Sequence, residues 1–318
     1  MGLRVGWVTA GGLAVVVTVV AAGVLVVRGV RGGGGRAAGT AVTTAPVKAT
    51  AAVPVTTDRQ LTVDGLTRRY IVVRPAAAAT KAGGKLPVVV VLHGRNATPE
   101  LEEQRTGFGP LAGPAILVYP AGYQESWNAG SCCAGAHEAG VDDVAFLTGV
   151  VHRVLSTEPD ADAGRVFLVG FSNGGKMAYR LACADPTLFA GLAVVGAVPV
   201  STCAQPPAVP AALLAFDHDP LLTLTPAEPP KPVNGFPQAS LDEEAAALRS
   251  ADGCTGAGDR SVTGTLTTTT WTDCATGKPM EFGIYQGNIH VWPAGDAQTP
   301  SAEQVIWTFF RSLPEDPR

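Results

Sequence analysis

Beyond residue 60 the chain alternates short, unbroken apolar runs with segments whose apolar positions recur at helical spacing. Leu86–Pro87–Val88–Val89–Val90–Val91–Leu92, Ala115–Ile116–Leu117–Val118–Tyr119–Pro120, Val166–Phe167–Leu168–Val169 and Ala211–Ala212–Leu213–Leu214–Ala215–Phe216 contain no charged residue. Runs of this length and uniformity predict strands buried on both faces of a parallel sheet. Leu188 to Val200 predicts a further strand, and Met280 to Tyr285 another. Gln60–Leu61–Thr62–Val63–Asp64–Gly65 and Thr67 to Pro75 predict a β-hairpin, with Asp64–Gly65 as its turn signal. Val141 to Leu155 predicts a helix, because Val144, Phe146, Leu147, Val150, Val151 and Leu155 fall on one side. Asp142 and Asp143 near its start suit the helix dipole, so capping is their expected role. Asp242 to Leu248 predicts a second helix. Ser301 to Leu313 predicts a closing amphipathic one, with Val305, Ile306, Phe309 and Phe310 inward.

The N-terminal stretch has a different pattern. Val5 to Val27 contains no charged residue, and a run of about 23 residues can span a bilayer as a helix. Residues 1–31 are therefore expected to be a signal anchor, or alternatively a cleaved signal peptide. Residues 32–58, from Gly32–Gly33–Gly34–Gly35 through an Ala/Thr/Pro/Val-rich stretch, lack sustained periodicity and read as a flexible linker. Residues 59–318 remain for one domain. Apolar residues make up 46% of the chain, enough for a sizeable core, and the formal net charge of −4 gives no reason to expect nucleic acid as a partner. The six cysteines, at 132, 133, 183, 203, 254 and 274, lack metal-ligand spacing, so no metal is expected. An even number behind an export-like N-terminus suggests disulfides and an extracytoplasmic location.

The chemistry concentrates in Arg165 to Ala178. The apolar run ending at Val169 leads into Gly170–Phe171–Ser172–Asn173–Gly174, which fits G-x-S-x-G, and the following residues suit a helix. Strand, tight turn and helix form the context in which this motif presents a serine nucleophile. A serine hydroxyl needs a base to take its proton. Of the five histidines, only His218 and His290 follow Ser172. In the order serine, acid, base, His218 has only Asp185 and Asp217 before it, so His290 is the expected base. Asp217 and Asp219 both follow the apolar run ending at Phe216; Asp219 is the chosen acid and Asp217 the alternative. The backbone N–H groups of Arg95, after the Leu92 run, and of Asn173 are the expected oxyanion donors. His93 precedes the nucleophile and reads as structural.

Four segments in order carry a family resemblance: Trp127–Asn128–Ala129–Gly130–Ser131–Cys132–Cys133, Val141 to Leu147, Gly170 to Gly175, and His290–Val291–Trp292–Pro293. Over about residues 60–312 the chain resembles the esterase family of polyhydroxybutyrate depolymerases and feruloyl esterases. The resemblance implies an α/β-hydrolase fold, with helices on both faces of a mostly parallel central sheet, a secreted serine esterase and no cofactor. It also favours Asp219, since Asp219–Pro220 aligns with the end of the family's His-Gly-Thr-x-Asp-Pro pattern. The residues before it, Ala215–Phe216–Asp217–His218, depart from that pattern. Trp127 and Trp292 are candidates to line the substrate pocket, with packing beneath its loop as the other role for Trp127. Cys254–Cys274, flanking the Thr-rich strand around Trp271, is the pairing that resembles the family; Cys132–Cys133 and Cys183–Cys203 are the remaining pairs.

The expected reaction is hydrolysis of short hydroxyalkanoate, hydroxycinnamoyl or acetyl esters, presented on a small molecule, a polyester or a polysaccharide. Membrane contact is expected through the N-terminal segment only. Acyl transfer by the same three residues and a hydrolase-fold binding protein without turnover are the alternatives.

Overall fold

The structure, a computed structural model, describes residues 54–76, 84–111, 113, 115–201 and 203–314. The expected N-terminal span lies outside these residues, as does the expected linker up to residue 53. Among the described residues no helix is long and apolar enough to cross a membrane. In chain order the strands are β1 (Val55–Val63), β2 (Leu66–Arg74), β3 (Leu86–Leu92), β4 (Ile116–Pro120), β5 (Ala161–Phe171), β6 (Gly191–Val195), β7 (Ala211–Phe216), β8 (Asp259–Thr263), β9 (Leu266–Trp271) and β10 (Met280–Tyr285). The helices are α1 (Pro99–Thr106), α2 (Phe108–Leu111), α3 (Ala134–Glu138), α4 (Asp143–Thr157), α5 (Asn173–Ala184), α6 (Leu241–Asp252) and α7 (Ala302–Ser312).

The strands form one ten-stranded sheet in the order β1-β2-β4-β3-β5-β6-β7-β10-β9-β8. Its centre, from β4 to β10, is parallel, and an antiparallel pair closes each side. The apolar runs have a direct cause here, because successive side chains point to opposite faces and both faces are covered. Val88, Val90 and Leu92 pack with α4, α5 and α6, whereas Val89 and Val91 pack with α2 and α7. Cys254, just beyond α6, is paired with Cys274, just beyond β9. The structure also pairs Cys132 with Cys133 and Cys183 with Cys203.

Three boundaries differ from the sequence expectation. β1 begins at Val55, inside the expected linker, because its full length pairs with β2 from Val55↔Arg74 to Val63↔Leu66. The expected strand over 188–200 is only Gly191–Val195. Gly196, at φ +61°, turns the chain out of the sheet, and the buried residues after it pack near α5 and the loop before α3 instead. The α4 helix begins at Asp143 and runs on to Thr157.

Candidate active site

The end of β5 and the start of α5 hold Ser172 between them in a strained backbone conformation, φ +54° and ψ −119°. Its N–H donates to Val195 O (2.9 Å) and its carbonyl accepts from Lys176 N (3.0 Å), so the turn is fixed on both sides. The flanking glycines are required by backbone atoms. A Cβ on Gly170 would lie 2.2 Å from Gly174 O, and one on Gly174 would lie 2.2 Å from Leu92 O. No rotamer relieves either clash, since the obstructing atoms belong to the main chain.

Ser172 Oγ lies 2.7 Å from His290 Nε2, and His290 Nδ1 lies 2.8 Å from Asp219 Oδ2. The three residues come from loops after β5, β7 and β10, at the carboxyl ends of parallel strands. Asp219 is 3% exposed, and its other oxygen accepts from Leu221 N (2.7 Å). Phe171 and Phe216 pack near the imidazole, at 5.3 and 6.1 Å between ring centroids. Asp217 faces elsewhere: its Oδ1 meets His218 Nδ1 and accepts from Gly287 N, each at 2.8 Å. It braces the turn after β10, while Asp219 holds the imidazole.

The loop after β3 is built on His93, which is almost wholly buried. Its Nδ1–H donates to Gly94 O (2.8 Å), leaving Nε2 to accept from Gly122 N (2.9 Å). Burial pushes its pKa down to about 4, so the ring is neutral and keeps this tautomer. The Trp127 indole N–H donates to His93 O (2.8 Å). Asn173 binds the main chain of the same tryptophan twice, accepting from Trp127 N (2.8 Å) and donating to Trp127 O (3.0 Å). The residue after the serine is thereby fastened to the loop before α3. Arg95 and Asn173 both border the cleft beside Ser172, and neither backbone N–H donates to an acceptor among the described residues.

That cleft has a volume of about 460 Å³ and is also lined by Lys176, His290, the Cys132–Cys133 pair and the stretches Pro220–Leu222 and Pro230–Asn234. Neither tryptophan expected in the pocket borders it. Trp127 is completely buried, because its ring packs against His93 and its polar groups are all bonded to the β3 loop and to Asn173. Trp292, 5% exposed, packs edge-on to Phe108 and Phe171 and donates its indole N–H to Glu303 (2.9 Å). Both support the walls from behind.

Asp142 caps α4, accepting from Ala145 N (2.9 Å). Asp143 does not cap the helix, the role expected for both aspartates. Completely buried, it pairs with Arg68 (2.5 Å) and accepts from Asn128 N (2.6 Å), next to Trp127. Burial raises its pKa despite the nearby guanidinium. Arg68, Lys176, Lys231 and Gln238 were not among the sequence candidates. The only visible signal was the Lys176 position, four residues after the serine on the same helix.

The sheet and its flanking helices match the folds of solved structures. The acetyl xylan esterase from Aspergillus awamori superposes with a TM-score of 0.53, at 15% identity, over 80% of this chain and 99% of that one. This is an α/β-hydrolase fold. A protein from Bacteroides ovatus named as a dipeptidyl aminopeptidase IV also superposes, with a TM-score of 0.52 at 14% identity over 84% of this chain and 37% of that one. No family model matches the sequence. Among curated proteins it is similar to NocK of Nocardia uniformis subsp. tsuyamanensis, which is named as an esterase, at 34% identity over 60% of this chain and 54% of that one. It is 30% identical to a poly(3-hydroxybutyrate) depolymerase of Ralstonia pickettii over 44% of this chain and 31% of that one. It is 28% identical to a protein named feruloyl esterase C of Aspergillus terreus, over 62% of this chain and 65% of that one. The chain thus spans from about a third to just under two thirds of the length of these relatives. Their names match the resemblance carried by the sequence motifs.

Proposed function

We propose that this chain is an extracytoplasmic serine carboxylic-ester hydrolase that works through an acyl-enzyme. Ser172 is the nucleophile, His290 the base and Asp219 the orienting acid. The imidazole takes the serine proton at Nε2 as Oγ attacks the ester carbonyl, and Asp219 accepts from Nδ1–H and stabilises the imidazolium that forms. The developing oxyanion sits on the N–H groups of Arg95 and Asn173, each donor contributing about 3 kcal/mol to the transition state. His290 then protonates the departing alcohol, and water releases the acyl group by the same route. The ester classes in view are hydroxyalkanoate, hydroxycinnamoyl and acetyl esters, after the names of the similar proteins. The three cysteine pairs support a location outside the cytoplasm.

The observation that carries this reading is the unbroken hydrogen-bond chain from Asp219 through His290 to Ser172, opening on a cleft that also holds two unpartnered amides. Hydrolysis of p-nitrophenyl acetate and butyrate by the oxidised chain tests it. Ser172→Ala and His290→Ala are each expected to lower kcat by about 10⁶-fold. Turnover by wild type no faster than by Ser172→Ala would refute the proposal. An added alcohol acceptor in the same assay separates hydrolysis from acyl transfer by its products.

A further inference from the structure

Every charged side chain bordering the cleft belongs to a basic residue: Arg95, Lys176 and Lys231, with His290 beside them. Among the described residues no carboxylate borders it, since Asp219 lies behind the imidazole. Lys176 stands one turn along α5 from Ser172 and is only 7% exposed. Its Nζ donates to Val198 O (3.2 Å) and to Gln238 Oε1 (2.5 Å). The Lys231 Nζ donates to Asp219 O (2.8 Å) and Leu222 O (2.5 Å). An ammonium carries three N–H donors, so each has one left. Neither lysine forms an ion pair with a carboxylate among the described residues.

Withdrawing an ammonium from water is expensive unless an opposite charge accompanies it. Here only neutral carbonyl and amide oxygens accept from the two lysines. The Asp219 carboxylate, which favours the charged form of Lys176, is one negative charge against Arg95, Lys176 and Lys231, which leaves a net positive field in a narrow space walled by protein. Such a cleft concentrates anions and gains most when one completes the charge balance. A neutral ester would leave that surplus positive charge without compensation.

We propose that the cleft selects esters bearing a free carboxylate, held by Lys176 and Lys231 while Ser172 attacks the ester carbonyl. This rests on the esterase reading and narrows its substrate class. The lysines are specificity-determining residues and take no part in proton transfer.

The test compares matched pairs of esters on the full, oxidised chain. p-Nitrophenyl hemiglutarate against p-nitrophenyl pentanoate puts the carboxylate on the acyl part. 4-Carboxyphenyl acetate against phenyl acetate puts it on the alcohol part. The quantity read is the ratio of kcat/KM, anionic over neutral, in wild type, Lys176→Met, Lys231→Met and the charge-keeping Lys231→Arg. For at least one pair the ratio should exceed one in wild type. It should fall about tenfold or more in each methionine variant and be largely restored in Lys231→Arg. Lysines that merely staple the loop would lower both rates and leave the ratio unchanged, which would overturn the proposal. Raising the salt concentration should also shrink the wild-type ratio, a check that needs no variant to fold. Neutral esters turned over at least as well as their anionic partners in both pairs would overturn this inference alone. Turnover of none of the esters would remove the esterase reading, and this inference with it.

Discussion

Arg68→Met is the most informative perturbation of the scaffold behind the site. The guanidinium sits on β2 with its side chain 6% exposed, and its carboxylate partner Asp143 is completely buried. Nη1 donates to Asp143 Oδ1 (2.5 Å) and Nη2 to Ala121 O (2.9 Å), while the guanidinium carbon lies 3.9 Å from the Phe146 ring centroid. Methionine fills much of that volume yet supplies no charge. Asp143 would keep the N–H of Asn128 (2.6 Å) but lose its counter-ion in a dry site. Leaving one member of a buried pair alone costs about 3–5 kcal/mol, a large part of the roughly 5–15 kcal/mol that holds a domain together. The loss should depend on pH. Burial already raises the Asp143 pKa, and Arg68 is the strongest influence opposing that rise. Without Arg68 the folded-state pKa climbs further above the unfolded value. The variant is then least impaired below the carboxylate range and loses stability as pH rises through the folded pKa. Urea unfolding of wild type and Arg68→Met at pH 4.5 and 7.5 measures both effects. Arg68→Met/Asp143→Leu, which removes the orphaned charge, should recover most of the loss. A deficit below about 1 kcal/mol, the same deficit at both pH values, or a double variant no better than the single one would refute the reasoning.

Replacing Gly174 with alanine would set a Cβ 2.2 Å from Leu92 O and 2.5 Å from His93 O. A loss of about 3 kcal/mol or more is expected in thermal unfolding, along with loss of labelling by a fluorophosphonate probe. Asp219→Asn should lower kcat about 10⁴-fold by disturbing the imidazole tautomer. Asp217→Asn, which touches only His218 and the Gly287 amide, should lower it less than tenfold, the size of about one exposed hydrogen bond. Burial raises the Glu102 pKa from 4.5 to about 7, so its contribution to stability is present below pH 4.5 and lost as pH rises toward 7. Glu102→Gln should therefore stabilise the protein by about 2–3 kcal/mol at pH 8 relative to its effect at pH 4, as read from chemical denaturation.

The legible parts of the chain were those whose cause is local. The β3 and β7 runs are apolar at every position because both faces of those strands are covered. The elbow glycines stand where main-chain atoms leave no room. The strand-like run from Met280 to Tyr285 marked the loop that carries His290 as one at a strand end. What could not be read depends on partners far apart in sequence. The Arg68–Asp143 pair spans 75 residues, and with it comes the fastening of Trp127 beneath the loop. No pattern in either segment announces the other, so Asp143 looked like a helix cap and Trp127 stayed open between pocket wall and packing beneath the loop. β8 was missed for the opposite reason. Asp259–Thr263 is exposed throughout, on an edge, and carries no alternation to detect.

The placement of the three site residues also sets an order of events in the life of the chain. The elbow around Ser172 comes from one contiguous stretch, β5 through α5, whereas the base lies 118 residues further on. β10, which delivers His290, takes its place between β7 and β9. A polypeptide emerging amino end first therefore carries its serine, unarmed, through most of its synthesis. Chains truncated before β10 would hold a shaped elbow and no base. On the proposed reading, the base arrives only with β10, the last strand in chain order.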